Sequence, residues 1–355
     1  AAPALLAHGV DYVLHAVLDE LGLRRVPREF VEHTIGQGSE HLIRTCLAHA
    51  GAGPERFDEA WALYQHEYTA RNGDHAEVYP GVTETLALLR ERGIETVLHF
   101  AAHTIVPESV RNPLKYYGNN TCSTRSLLAA CSANGVREFV FSSTAAVYGM
   151  PAAGEADELT ATAPINPYGM SKLMSEHMLR DLCAATSMRH VILRYFNVAG
   201  CDPGGRIGQS TLNATLLIKV ACEHAVGKRE RLCVFGTDYD TADGTCIRDY
   251  IHVVDLADGH LKALEFLQSS AAEGWQAINL GTGQGYSVLQ MLRAFEQASG
   301  QRIAYAIKPR RPGDIAACYA KTDKAAQALN WRAQREQTAM CQDTWRWQQY
   351  AAKLA

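Results

Sequence analysis

The run Asn166-Pro167-Tyr168-Gly169-Met170-Ser171-Lys172 places a phenol and a primary ammonium four residues apart. On a helix two such residues share one face. A free tyrosine ionises near pH ~10 and is a poor base at neutrality. An ammonium close by lowers that by roughly 1–3 units and brings the phenolate within reach. The spacing therefore predicts an acid–base tyrosine tuned by its lysine. Asn166 suits a helix cap, and Pro167 suits the first turn after it. Taken alone, the same spacing also arises on a solvated helix face.

A second constellation lies at Arg137–Gly149, where an apolar run ends in Ser142, Ser143 and Thr144. Ligands of open parallel sheets sit beyond the carboxyl ends of strands, where these hydroxyls could bond a substrate oxygen or a catalytic phenol. A serine-rich strand end that caps the following loop is the plain alternative.

Both segments need elements to hold them. Residues 1 to about 94 read as helices almost throughout, with Leu5, Val10, Val13, Leu14, Val17, Leu18 and Leu21 at helical spacing and further helical patterns near 38–50 and 55–71. Asn72-Gly73-Asp74 reads as a turn, 82–92 as a helix stopped by Gly93, and 96–101 as a strand. Strand-like and helical runs then alternate: a helix to about 134, a strand before Ser143, a helix from 167, a strand from His190 and a helix from about 213. Strands near 232–235, 276–280 and 302–307 follow, with helices near 254–268 and 287–299. This alternation predicts an α/β fold with a parallel sheet covered by helices on both faces.

Composition narrows the function classes. At 47% hydrophobic and 20% charged, the 355-residue chain resembles a globular protein with a large core. A net charge of −4 leaves no basic footprint for nucleic acid. Ten cysteines without tight spacing suggest reduced thiols and a cytoplasmic setting rather than a disulfide framework. The histidines show no HExxH pattern, and no metal site is expected. No apolar run reaches membrane-spanning length, and the amino terminus lacks the basic start of a signal peptide. The missing initiator methionine suggests a fragment or a processed product.

Seven segments, in order and at suitable spacing, resemble the UDP-glucose 4-epimerase family, within the extended nucleotide-sugar branch of the short-chain dehydrogenases. They are His99–Asn120, Val136–Gly149, Ile165–Leu179, Leu193–Gly205, Val234–His260, Ile278–Val288 and Pro309–Asp314. Ala145 and Ala146 stand where the dehydratases and decarboxylases of that superfamily carry an acidic residue, which favours epimerisation. The resemblance spans about 95–350. It implies a Rossmann-type sheet, truncated here at its amino end, with a smaller carboxyl-terminal substrate lobe. The expected organisation is a mainly helical segment (1–94), the remainder of the NAD-binding domain (95–200) and mainly the substrate lobe (201–355).

By the same resemblance, Tyr168 is the catalytic base, Lys172 its electrostatic partner, and Thr144 the hydroxyl that meets the sugar 4-oxygen and the tyrosine. NAD is the cofactor, with Phe100, Ala101, Ala102, Asn119, Ser142, Ser143, Tyr168 and Lys172 on its side. Asn197, Arg248, Arg311, Asp314 and Cys318 join Thr144 on the substrate side, for UDP-glucose and UDP-galactose. A guanidinium fork suits a diphosphate, although for each arginine alone a surface salt bridge is the plainer reading. Cys318 stands where the family gates the sugar pocket, and its small side chain suggests N-acetylated UDP-hexoses as further substrates; a packing cysteine is the alternative. The family pairs through a helix bundle, so a homodimer is expected.

Three positions depart from that pattern. No GxxGxxG turn precedes the strand at 96; Gly36-Gln37-Gly38 lies between helical patterns instead. Residues 1–94 resemble the cap region of a phosphoglycolate-phosphatase-like haloacid dehalogenase, without the DxDxT aspartate nucleophile. The expectation is a fusion near residue 94, a first strand left at a sheet edge, and weak or no turnover. Thr104 replaces a common lysine, and Leu216 stands where Asn or His is expected near the nucleotide. The alternatives are a non-catalytic nucleotide-sugar-binding fusion and, behind it, a phosphatase remnant.

Overall fold

A computed structural model describes residues 2–34, 39–71, 82–93, 96–211, 214–269, 274–311 and 314–354. The chain divides into two compact units, Ala1–Ile94 and Glu95–Ala355.

The first unit is helical: α1 (Ala2–Glu20), α2 (Arg28–Thr34), α3 (Ser39–Ala50), α4 (Phe57–Arg71) after a 3₁₀ turn at Pro54–Arg56, and α5 (Val82–Glu91). The periodic residues of α1 make its core, where Val13, Leu14, Val17 and Leu18 pack with Val31, Ile43, Cys46, Ala60 and Tyr64. Gly36-Gln37-Gly38, the turn at Asn72-Gly73-Asp74 and the junction at Ile94 lie outside the described residues.

The second unit opens with β1 (Thr96–His99), α6 (Val106–Arg111) and α7 (Pro113–Tyr116), which runs through a π-helical turn at Tyr117–Cys122 into α8 (Ser123–Ala133). Then come β2 (Glu138–Ser142), a 3₁₀ turn at Ala145–Tyr148, β3 (Glu155–Ala156), α9 (Pro167–Ala185), β4 (Arg189–Tyr195) and β5 (Asn197–Ala199). The carboxyl part adds α10 (Leu217–Ala225), β6 (Leu232–Phe235), β7 (Ile247–His252), α11 (Val253–Gln268), β8 (Trp275–Leu280), β9 (Gly285–Ser287), α12 (Val288–Ser299), β10 (Tyr305–Lys308), β11 (Ala317–Ala320), α13 (Asp323–Leu329) and α14 (Gln337–Leu354).

Among the described residues the main sheet runs β1-β2-β4-β8, all parallel, with β1 at one edge. Phe139, Val140 and Phe141 are fully buried because the pleat sends them to alternate covered faces. Val140, Val191, Leu193 and Ile278 meet Leu256, Ala263, Leu329 and Trp331 on one face. On the other, Phe139, Phe141, Ile192 and Ala277 meet Leu128, Cys131 and Leu179 from α8 and α9. A second sheet runs β3-β11-β7-β5, with β9 antiparallel on β7, and β6 pairs β10 separately.

The sequence expected one helix up to about 134; the structure breaks it into α6, α7, the π turn and α8, with Pro107 and Pro113 opening the first two pieces. The helix expected from about 213 begins at Leu217, because Leu216 is extended (φ −72°, ψ 132°).

Candidate active site

Local chemistry sets the start of α9 as the sequence predicts. The Asn166 side chain accepts from the Gly169 amide at 2.9 Å, and Pro167 occupies the first turn. Gly169 is required by contact: a Cβ there would lie 2.6 Å from the Ala146 carbonyl oxygen. This approach brings α9 onto the turn that follows β2, and with it Tyr168 onto Thr144.

The Tyr168 phenol faces the Thr144 hydroxyl, which favours its ionised form. Thr144 also accepts from the Ala146 amide at 3.1 Å, capping the 3₁₀ turn. Lys172, one turn along, is only 3% exposed. Its ammonium donates to the Ser142 carbonyl at 2.7 Å and lies 4.7 Å from the Phe141 ring centroid. Burial lowers the Lys172 pKa to about 8, against the favourable field of Glu176.

The expected lowering of the tyrosine is not what this arrangement does. Burial pushes the Tyr168 phenol upward, with Thr144 opposing and the neighbouring Tyr195 adding to it. The reason is geometric: the lysine's recorded bond is to a backbone carbonyl, while the phenol sits in an aromatic setting. Tyr116, itself fully buried, meets the Tyr168 ring edge-on at 6.4 Å.

The cofactor-side candidates divide. Phe100 is 57% exposed beyond the end of β1, with its ring 4.8 Å from that of His260, and Ala101 and Ala102 follow it. The Ser142 and Ser143 hydroxyls bond inward, to His260 at 3.4 Å and to Glu176 respectively. His260 Nδ1 faces the Leu256 carbonyl at 2.8 Å, which makes Nδ1 the protonated nitrogen and Nε2 the acceptor for Ser142. Asn119 is exposed and donates to Asn120 at 3.1 Å. The buried Asn120 is the bridging residue, joined to both backbone groups of His103 (2.8 and 3.0 Å) and to Ser171 of α9 at 3.0 Å.

The substrate-side candidates gather on the second sheet. Arg311 donates to Asp314 at 2.9 Å and lies 4.8 Å from the Phe235 ring centroid; Arg248 reaches the same carboxylate at 4.0 Å. Cys318 of β11 pairs with Arg248 of β7, and burial pushes its thiol up to about 11. Asn197 pairs with Tyr250. Cys318 shares a buried cluster with Ala145, Val147, Tyr148 and Leu173, so the arginine set and the tyrosine set border one core. Thr104 is exposed in the loop after β1, and Leu216 is 42% exposed. The described residues hold no cluster of His, Cys, Asp and Glu arranged for a metal, and no helix long and apolar enough to cross a membrane.

Sequence reasoning missed Glu176, Arg194, Asn120 and Tyr195. Glu176 was legible in part, since Tyr168, Lys172 and Glu176 repeat at four-residue spacing on one helix face.

A parallel α/β sheet with a tyrosine facing a threonine hydroxyl and a buried lysine at its carboxyl edge defines an extended dehydrogenase-like class. The chain belongs to the NAD dependent epimerase/dehydratase family, whose model matches residues 68–281. That match begins upstream of the junction expected near residue 94. Similar relatives include UDP-glucose 4-epimerases of Azospirillum brasilense (52% identical over 244 residues, 69% of this chain and 70% of the relative) and Bacillus subtilis strain 168 (50% over 264 residues, 74% and 77%). Among solved structures, the Stenotrophomonas maltophila UDP-glucose-4-epimerase with bound NAD and formylated UDP-arabinopyranose matches with a TM-score of 0.74 at 38% identity, covering 83% of this chain and 88% of that one. The Bifidobacterium longum enzyme in complex with NAD+ and UDP matches at 0.72 and 41%, covering 81% and 87%.

Proposed function

We propose that this chain interconverts UDP-glucose and UDP-galactose by transient oxidation at the sugar C4, with NAD as cofactor. The observation that carries the reading is the buried Lys172 ammonium, one turn along α9 from Tyr168, donating to the Ser142 carbonyl at the carboxyl end of β2, beside Thr144.

The residues present fit the nicotinamide end of NAD. An ammonium has three donors, and the recorded partner of Lys172 is the Ser142 carbonyl, which leaves donors for a ribose hydroxyl. Phe100, Ala101, Ala102 and the Ser142–Ser143 backbone would flank it, with Asn119 at the margin. When bound, NAD supplies a hydride acceptor at C4 and a positive charge that favours the phenolate. Thr144 holds the sugar 4-oxygen, and Tyr168 takes the proton of that hydroxyl and later returns it. Arg248 and Arg311, with Asp314 and Asn197, would hold the UDP end while leaving the sugar free to turn over. Cys318, small and buried beside Arg248, leaves room for N-acetylated hexoses. The same reading makes 95–200 the cofactor part and 201–355 mainly the substrate lobe, and it includes a homodimer.

The test is UDP-galactose conversion and NAD content of the purified full chain and of Tyr168→Phe. Turnover that falls at least about a thousandfold in the variant, with UDP binding retained, supports the reading; undiminished turnover refutes it. A second reading is nucleotide-sugar binding without catalysis. It is favoured by the absence of a glycine-rich turn from residues 1–94, and UDP binding with neither NAD nor turnover would select it.

A further inference from the structure

We propose that the buried Glu176–Arg194 ion pair is the positioning device of the active site, locking α9 against the Ser143–Thr144 strand end and so fixing where Tyr168 and Lys172 point. The inference rests on the epimerase reading for its kinetic consequences, and on the geometry alone for its structural ones.

Glu176 is 4% exposed and Arg194 5%. One Glu176 oxygen accepts from the Ser143 hydroxyl and from Arg194 Nε at 3.1 Å; the other accepts from Arg194 Nη2 at 2.6 Å. A single carboxylate therefore ties the helix that carries the phenol and the ammonium to the residue next to Thr144, and to β4. The network continues outward. Arg194 Nη1 donates to the Tyr148 hydroxyl at 3.2 Å, and Tyr148 donates to Asn279 Oδ1 at 2.6 Å. Asn279 in turn donates to the Ala156 carbonyl at 2.9 Å and, through its amide, to Glu158 at 2.7 Å. One connected set thus spans α9, the ends of β2, β4 and β8, the 3₁₀ turn after Thr144, and β3.

A fold needing only stability would do as well with apolar residues of similar volume, because desolvating two charges offsets most of their attraction. The position of this pair is what speaks for a role in the site. Glu176 lies one helical turn beyond Lys172 on the same face, and a shift of its carboxylate moves Ser143, and hence Thr144, relative to Tyr168. Its charge also acts on Lys172 directly, favouring the ammonium that burial disfavours. The other groups facing that ammonium are the Ser142 carbonyl and Phe141 ring of β2, the neutral-tending His99 of β1, and Arg194 of β4 through the shared carboxylate.

The experiment uses the full chain with Glu176→Gln and, because that change strands a buried guanidinium, also the double variant Glu176→Leu/Arg194→Met, which leaves no unpaired charge. Three readouts apply: kcat and KM for UDP-galactose, the alkaline limb of the kcat profile, and the titration midpoint of Lys172 by NMR of labelled lysine, assigned with Lys172→Arg. Expected is a kcat loss of up to about a hundredfold with KM changed by less than about threefold. The alkaline limb and the Lys172 midpoint should both move to lower pH. Folded variants with wild-type kcat, pH limb and Lys172 midpoint, whatever their melting temperature, would overturn the proposal. If the parent chain does not turn over UDP-galactose, the epimerase reading fails by itself. The Lys172 midpoint then decides the positioning claim: a downward move sustains it and no move refutes it.

Discussion

His190 gives the sharpest energetic test of the fold that holds this site. It lies in β4 between Phe139 of β2 and Trp275 of β8, 1% exposed, with neither ring nitrogen hydrogen-bonded among the described residues. Burial alone lowers its pKa to about 4. A depressed folded pKa means that the unfolded chain binds more protons between pH ~6.5 and ~4, so stability is present above that window and lost as pH falls through it. Two and a half units amount to about 3 kcal/mol in full, of which about 2 kcal/mol is lost between pH 7 and pH 5. His190→Leu removes the titration and, at pH 7, removes two buried polar atoms that cost about 1–3 kcal/mol. Urea unfolding followed by circular dichroism at pH 7, 6 and 5 should show the variant's advantage over the parent growing by about 2 kcal/mol towards pH 5. Taking the difference between the two proteins cancels the carboxylates common to both. Parallel stability curves would refute the reasoning, and a variant of lower stability at every pH would mean that the imidazole has a partner.

Further outcomes follow from the same geometry. Gly169→Ala drives a methyl against the Ala146 carbonyl, so kcat should fall at least about tenfold while UDP affinity, measured by calorimetry, is retained. Lys172→Met lacks the buried ammonium whose pKa is lowered to about 8. The variant's advantage in urea should therefore shrink by about 3 kcal/mol as pH rises from 8 to 10.5, because a depressed lysine makes the parent more stable through that window. Asp249 is fully buried and accepts from the Thr282 amide and hydroxyl (2.9 and 2.7 Å), Gly283 (3.0 Å) and Ala320 (3.2 Å). Asp249→Ala strands these donors and should cost at least about 3 kcal/mol in denaturant unfolding.

The regular elements were legible because each carries a local cause. Val13, Leu14, Val17 and Leu18 recur at helical spacing, Asn166-Pro167 starts α9, and the apolar runs of β2 and β4 are buried on both faces. β3, β5 and β9 were invisible because two or three residues hold no period, and their pairing is decided by distant partners. β7, reading Ile-Arg-Asp-Tyr-Ile-His, hid for another reason: its Asp249 is polar yet buried, satisfied by Thr282, Gly283 and Ala320 from far along the chain.

The sequence alone determined where the candidate residues stand, since Tyr168 and Lys172 share one helix face by spacing, and Ser142–Thr144 end a strand by hydropathy. It could not determine the electrical state of those groups. A phenol lowered by its lysine was the local expectation; the fold raises the phenol and lowers the lysine instead. That inversion is a property of burial and of which partner each donor finds. The Ser142 carbonyl of β2, and Glu176 of α9 with its partner Arg194 of β4, come together around the lysine only once two strands and a helix have packed, because desolvation and long-range hydrogen bonds exist in the assembled core and nowhere in the local chain.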